Sequence, residues 1–316
     1  MEKICAVVVT FNRLDLLKIC LNALKKQTRI LDEILIIDNH STDGTTEFLK
    51  ETYSEDQKVE ILYLKDNLGG AGGFETGIRH AYQENFDWLW VMDDDAEPES
   101  TCLEALLKYN SRSIGLLAPV IINKKSKKVQ NYHHKRLNDS LTKDIYISND
   151  EIRSHSIIEL DANAFVGPLI SHSAIERIGF PRGDFFIWLD DTEYTYRISR
   201  RMPIRLVTHA LIYHNDKAGN NNKVLNFWKH CYGSRNRWLW RHTTLHGVKL
   251  VRGNVAAYVD YIKQFIKILV KNDWKGNRKT GLKFLVRTII FSQNRIPGKF
   301  IDPADYLSMI RNTLFE

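Results

Sequence analysis

Over residues 1–122 the apolar positions fall into two alternating patterns, short continuous runs and stretches spaced three or four apart. A continuous β-branched run predicts a strand buried on both faces, and three-to-four spacing predicts a helix with one buried side. Residues 4–11 (Ile-Cys-Ala-Val-Val-Val-Thr-Phe) read as the first strand, and 13–26 as a helix with Leu14, Leu17, Leu21 and Leu24 at helical spacing. Strands follow at 33–38, 59–64 and 86–92, with helices between them, the last running to about Gln83. Four such alternations predict a mostly parallel sheet covered by helices on both faces. Pro98 suits the first turn of a further helix, where its missing N–H costs little, and 114–122 a further strand.

From 123 to 158 the chain turns polar and basic, with Lys124, Lys125, Lys127 and Lys128 ahead of His133 and His134. It reads as an exposed excursion or hairpin, with the paired histidines on solvated surface. Apolar patterning resumes with a strand and turn at 161–168, a short helix at 171–178, and a helix at 190–201. In that last helix acids come first and arginines last, matching the macrodipole. A strand at 204–213 and a long aromatic helix at 224–242 follow, then amphipathic helices at 255–271 and 282–291. The expected division is an α/β domain at 1–245, with halves 1–122 and 159–245, and a helical C-terminal region at 246–316.

Charge sharpens the second part. Residues 251–316 carry twelve Lys/Arg against five Asp/Glu, an excess equal to the formal +7 of the whole chain. A basic tail suits nucleic acid or an anionic membrane surface. Because its aromatics fall on apolar faces, the membrane interface is the favoured partner and nucleic acid is not expected. A helical pair packed on the main domain is the alternative. Cys5, Cys20, Cys102 and Cys231 lack metal-type spacing and suit buried thiols in a reducing compartment. No apolar run spans a bilayer and the N-terminus lacks a signal-peptide layout, so a cytoplasmic protein is expected.

Three constellations carry chemistry. Phe86-Asp-Trp-Leu-Trp-Val-Met ends in Asp93, Asp94 and Asp95. Alternation sends Asp93 and Asp95 to one side of the strand end, where they suit a hard divalent cation, while a bare Asp triplet is equally a solvated turn. Asn67-Leu-Gly69-Gly70-Ala-Gly72-Gly73 allows close backbone approach to a ligand at a helix start, or tight helix–strand packing. It is not a P-loop, and it follows the third strand instead of the first, unlike a dinucleotide fingerprint. Trp188-Leu-Asp190-Asp191-Thr-Glu193 offers a carboxylate general base, or an Asp190 helix cap. His214, at a strand end, is either a third metal ligand or structural.

The order of Val-Val-Val-Thr-Phe-Asn-Arg, Ile-Ile-Asp-Asn-His-Ser-Thr-Asp-Gly-Thr, the Asp triplet and Leu-Asp-Asp-Thr-Glu resembles family 2 glycosyltransferases of the GT-A fold. Asn-Leu-Gly-Gly-Ala-Gly-Gly-Phe, Trp-Val-Met-Asp-Asp-Asp-Ala-Glu-Pro and the helix bearing Tyr232-Gly-Ser-Arg235-Asn236 look like its galactofuranosyl- and rhamnosyltransferase branch. The resemblance covers about residues 3–240. It implies that Thr10 and Arg13 lie near the donor nucleotide, that Asp38 reads the base, and that Asn67, Gly69, Gly70 and Gly72 line the diphosphate and sugar. It further implies Asp93, Asp95 and His214 as ligands of Mn2+ or Mg2+, and Asp94 facing the donor. Asp191 would be the catalytic base of an inverting displacement, with Asp190 and Trp188 orienting the acceptor. Family members often carry Asp-Asp-Gly-Ser where this chain has Asp38-Asn39-His40-Ser41.

The expected function is therefore a metal-dependent transferase that moves galactofuranose from UDP-galactofuranose, or rhamnose from dTDP-rhamnose, to a lipid-linked glycan. It would work at the inner face of the cell membrane, as a single chain or a homo-oligomer. A sugar nucleotidyltransferase would place its Gly-rich signature after the first strand, where Phe11-Asn-Arg stands. A non-catalytic carbohydrate-binding protein would not need all the carboxylates.

Overall fold

The computed structural model describes residues 2–215 and 222–312. They form two compact units, one of 2–136, 145–183 and 190–215, the other of 137–144, 184–189 and 222–312.

In the first unit β1 (Ile4–Thr10), α1 (Leu14–Lys25), β2 (Glu33–Asp38), α2 (Thr45–Tyr53), β3 (Val59–Tyr63), α3 (Gly69–Gln83) and β4 (Trp88–Asp93) follow the expected alternation. Next come β5 (Ala96–Pro98), α4 (Cys102–Leu107), β6 (Leu116–Asn123), β7 (His134–Leu137), β8 (Asp144–Tyr146), α5 (Asn149–Ser154), β9 (Ile157–Glu159) and β10 (Ala162–Asn163). Then β11 (Val166–Ser171), α6 (His172–Ile178), α7 (Asp190–Ser199) and β12 (Ile204–His214) complete it. The main sheet runs β3-β2-β1-β4-β11-β6-β12-β5, with β9 beside β12. Its first four strands are parallel, as the alternation predicts, and β11 then enters antiparallel to both β4 and β6, so the whole is mixed.

Strand β1 shows why the sheet is doubly covered. Ile4, Ala6 and Val8 join one core with Leu17, Leu21 and Leu24 of α1, while Cys5, Val7 and Val9 join another with Phe74 and Ile78 of α3. Gly73 and Gly77 permit that second contact, since a Cβ there would meet Val9 Cγ1 at 2.6 Å and Val7 Cγ1 at 2.5 Å. The glycine run therefore serves helix–strand packing as well as a loop.

Two expectations fail. Pro98 does not open a helix. It ends the short strand β5, whose Ala96 pairs with His214, and the helix begins at Cys102. An edge strand tolerates Pro because no neighbour needs its N–H. Of the excursion or hairpin expected at 123–158 the hairpin stands, but its paired histidines are not on solvated surface. It contributes β7 and β8 to a small sheet, β10-β7-β8, and His134 is fully buried with Nδ1 2.7 Å from Asn163 Oδ1. Burial and the nearby Lys135 hold His134 down to about 4 against the Asn163 hydrogen bond.

The second unit holds α8 (Phe227–Thr244), α9 (Gly247–Val270), α10 (Arg278–Gln293) and α11 (Pro303–Asn312). Its core joins Phe227, Trp228 and Tyr232 to Tyr261, Trp274, Phe284 and Tyr306. This aromatic packing groups α8 with the C-terminal helices. Two arginines of α8, Arg235 and Arg241, are buried where they satisfy carbonyls. Arg241 donates to Leu141 O and Gly253 O, and burial with Arg237 nearby holds it down to about 10. Asn236 donates to the carbonyls of Phe185, Ile187 and Trp188, in a segment where Phe186, Trp188 and Leu189 all have positive φ. All four cysteines are free and buried. Among the described residues no helix is long and apolar enough to cross a membrane.

Candidate active site

Parallel register aligns the carboxyl ends of β1, β2 and β4: Thr10 pairs with Asp38, and Val9 with Asp93. At this end of an open sheet the strand-to-helix loops leave room for ligands. A cavity of about 380 Å³ lies at the opposite end, by Trp88 and Ser171, and touches none of the triplet.

The triplet is held from three sides. Thr10 Oγ1 donates to Asp94 Oδ2 at 2.8 Å, and Arg13 Nη1 contacts Asp94 Oδ1 at 3.2 Å and Asp95 Oδ2 at 2.8 Å. Burial pushes Asp94 up to about 6, against the Arg13 charge, with Asp95 adding to the rise. Asp93 is raised as well, by burial and then by its two neighbours. Against burial, the three carboxylates hold Arg13 above its ordinary value. Asp95 alone is lowered, because His214 and Arg13 overcome its burial.

His214 reaches Asp95 through β5. The antiparallel pairing sets His214 opposite Ala96, and Asn215 N donates to Asp95 O at 2.8 Å. His214 Nε2 then lies 3.1 Å from Asp95 Oδ1, yet that buried oxygen has no hydrogen-bond partner. On its other side the ring contacts buried Gln130, Nδ1 to Oε1 at 2.9 Å. With Nδ1 engaged by Gln130, Nε2 is the ring atom that faces the carboxylate. This pair of atoms suits either an Nε2–H donated to Asp95, the contact through which His214 lowers that carboxyl, or a cation held by both. Their 3.1 Å separation matches adjacent ligands of an octahedral ion with bonds of about 2.1 Å. The donor set, carboxylate and imidazole, fits Mn2+ or Mg2+. Asp93 feels the pair electrostatically, but among the described residues no three such side chains stand in ligating geometry.

Asp38 is buried, and its oxygens accept from Ser41 N and Thr46 Oγ1, bracing the loop after β2. Asn39 Nδ2 donates to Asn67 Oδ1 and Gly69 O, and its Oδ1 accepts from Leu68 N at 2.9 Å. Asn67 Oδ1 also accepts from Gly69 N at 2.8 Å. Asn39 therefore works as donor and acceptor at once, which an aspartate could not do. His40, where the related motif has Gly, adopts φ +68°. Gly69 (φ +72°) starts α3, Gly72 packs on Leu68, and Gly70 faces open space.

Asp190 and Asp191 open α7. Asp190 is buried, and burial with the charge of Asp191 pushes it up to about 8. Its charge is felt at Asp93, so the two acidic groups share one electrostatic field. Asp191 Oδ1 accepts from Thr192 N and Oγ1, and Thr192 Oγ1 accepts from Lys135 Nζ at 2.9 Å. Thr195 fastens the helix to Asn163 of β10. Trp188 belongs to the other unit, where its ring covers Gly233 and is 46 % exposed. Gln130, Lys135 and Thr192 carry no sequence signal of their own, whereas Asn39 stands out as a departure from the related motif. Lys135 follows the two histidines within the stretch that reads as surface.

Residues 5–166 match the sequence profile of the family described as glycosyl transferase family 2, half of the chain. The chain belongs to glycosyl transferase family 2. Galactofuranosyltransferase GlfT1 of Mycolicibacterium smegmatis is 30 % identical over 205 residues, 63 % of this chain and 66 % of that protein. The dTDP-rhamnosyl transferase RfbF of Shigella flexneri is 24 % identical over 198 residues, 62 % of this chain and 63 % of that one. The chain thus spans just under two thirds of the length of these relatives. Among solved structures, GalNAc-T7 with UDP, GalNAc and Mn2+ superposes with a TM-score of 0.61 at 16 % identity, covering 94 % of this chain and 56 % of that one. A Pyrobaculum calidifontis mannosyltransferase with GDP-Man and Mn2+ gives 0.54 at 15 %, covering 92 % and 87 %. These likenesses give the fold, GT-A. This member of the family thus has an α/β fold with the Asp triplet at the carboxyl edge of the sheet.

Proposed function

We propose that this glycosyltransferase moves galactofuranose from UDP-galactofuranose to a hydroxyl of a lipid-linked glycan, inverting the anomeric centre. The observation that supports the site reading is the buried Asp95 oxygen facing His214 at 3.1 Å, beside Asp93, whose carboxyl also feels Asp190. The likeness to the mycobacterial galactofuranosyltransferases supports the sugar. The likeness to the rhamnosyl transferase makes dTDP-rhamnose the second reading.

In this reading Asp93, Asp95 and His214 hold Mn2+ or Mg2+. When bound, the ion supplies charge neutralisation to the departing diphosphate. Arg13 and Thr10 orient the diphosphate beside Asp94, Asp38 and its loop take the base, and Asn67, Gly69, Gly70 and Gly72 border the phosphates and sugar. Asp191 takes the acceptor proton as the hydroxyl oxygen bonds to the anomeric carbon and the bond to the diphosphate breaks. Lys135, through Thr192, orients the Asp191 carboxylate. Asp190, held up to about 8, keeps its proton at neutral pH and leaves proton abstraction to its neighbour. Because that acceptor is lipid-linked, the enzyme works peripherally at the inner membrane face.

A panel of nucleotide sugars, assayed for transfer to a lipid-linked glycan with Mn2+, tests the reading. UDP-galactofuranose should give the highest turnover, and Asp191→Asn should retain donor affinity while losing at least about 100-fold in kcat. Full turnover in Asp191→Asn would remove the base assignment.

A further inference from the structure

Helix α9 has two apolar faces, and the fold uses one. Gly253, Ala257, Tyr261 and Ile268 are buried within the second unit. At about 100° per residue, Val248, Val251, Val255, Ile262, Ile266 and Val270 fall on the opposite side. They are 67, 60, 57, 58, 52 and 68 % exposed. A surface helix ordinarily sets charge opposite its buried stripe. Here the outward face stays apolar along all 24 residues, about 36 Å of helix. Scattered exposed apolar side chains need no explanation, but a continuous strip of this length does.

The charges stand along one edge of the strip. Lys249, Arg252, Lys263 and Lys267 lie on a common flank and all are exposed. The one acid of α9, Asp260, is engaged elsewhere, 3.3 Å from His230 Nε2 and accepting from Gln264. The exposed stripe of α10 repeats the mixture at i, i+3, i+4 and i+7, with Lys283, Val286, Arg287 and Ile290. Lys249 is paired with Asp139 at 3.1 Å, but Arg252, Lys263 and Lys267 continue the row as an excess of cations, which two copies of this face would bring together. An anionic lipid surface meets both features at once, with acyl chains for the strip and phosphates for the cations.

We propose that the outward face of α9 lays the protein flat on an anionic bilayer, its apolar strip at the acyl boundary and its Lys/Arg row among the headgroup phosphates. The proposal deepens the peripheral placement proposed above by naming its surface, and it stands on residues outside the catalytic site.

The test is co-sedimentation of the full chain with phosphatidylcholine vesicles, with and without about 30 % phosphatidylglycerol, with UDP affinity measured on the same preparations. The wild type should partition at least about tenfold more strongly onto the anionic vesicles. Each basic residue near the surface is worth about fivefold, so Lys249→Glu/Lys263→Glu/Lys267→Glu should lose at least about 100-fold. Val255→Ser/Ile262→Ser/Ile266→Ser should lose at least about tenfold on the same vesicles. Both variants should keep wild-type UDP affinity, which reports an intact fold and tests the donor site separately. Equal partition onto neutral and anionic vesicles, or unchanged partition in either variant, would overturn the proposal. So would a lipid-free dimer in sedimentation velocity that the serine variant dissolves, which would assign the face to a second copy.

Discussion

Gln130→Leu tests whether the His214–Asp95 pair is built for a cation. Gln130 is buried, and its Oε1 lies 2.9 Å from His214 Nδ1, where water cannot replace it. That contact orients the ring, so that Nε2 faces Asp95 Oδ1 at 3.1 Å. Leucine keeps the bulk but leaves Nδ1–H without a partner, and the ring can then exchange tautomers or rotate away. Losing such an outer partner of a ligating histidine weakens metal affinity about 10- to 100-fold, or about 1.4–2.7 kcal/mol. Gln130→Glu supplies a stronger acceptor at the same place and should bind at least as tightly as the wild type. The assay is calorimetric titration of Mn2+ with UDP into each variant, with thermal unfolding as the check on folding. Affinities within about twofold of wild type in a folded Gln130→Leu protein would refute the reasoning.

Asn39→Asp should cost about 1–3 kcal/mol in urea unfolding, because a carboxylate would face Asn67 Oδ1 and Gly69 O where the amide now donates; unchanged stability would show that the amide is not the brace. His134 should make stability pH-dependent. Its folded value of about 4 lies below the ordinary value of about 6.5, so the unfolded chain binds a proton that the folded one refuses. Its contribution is complete above about pH 6.5 and is lost as pH falls toward 4, up to about 3 kcal/mol. His134→Phe, which cannot titrate, should flatten the urea midpoint over that range by the corresponding amount, and an unaltered slope would locate the effect elsewhere.

Of the first four strands, β1, β2 and β4 were legible because they are buried on both faces and read as nearly unbroken apolar runs, whereas the edge strand β3, with Glu60 in it, is only partly buried. The site at their ends was legible because its chemistry sits in short motifs after those strands. Other features lay outside what periodicity can carry. β5 is three residues ending in proline, too short for any period, yet it alone brings His214 beside Asp95 across 119 positions of sequence. Residues 123–158 read as surface because Lys and His dominate them, whereas His134 and Gln130 are buried and Lys135 reaches Thr192. For α9, amphipathic spacing identified apolar positions without telling which of two faces the fold would cover. Asn39 shows the reverse case: a departure from the related motif is explained once its donor and acceptor contacts are visible.

The central claim is that the edge of Asp93, Asp95 and His214 binds a nucleotide diphosphate through a divalent ion. Calorimetric titration of UDP into the wild type and Asp95→Ala, each with Mn2+ and with EDTA, tests it most directly. Binding with Mn2+ should weaken at least about 100-fold in EDTA, and Asp95→Ala should bind weakly in both. Equal UDP affinity with and without the ion, or an Asp95→Ala protein that keeps the full Mn2+ effect, would contradict it.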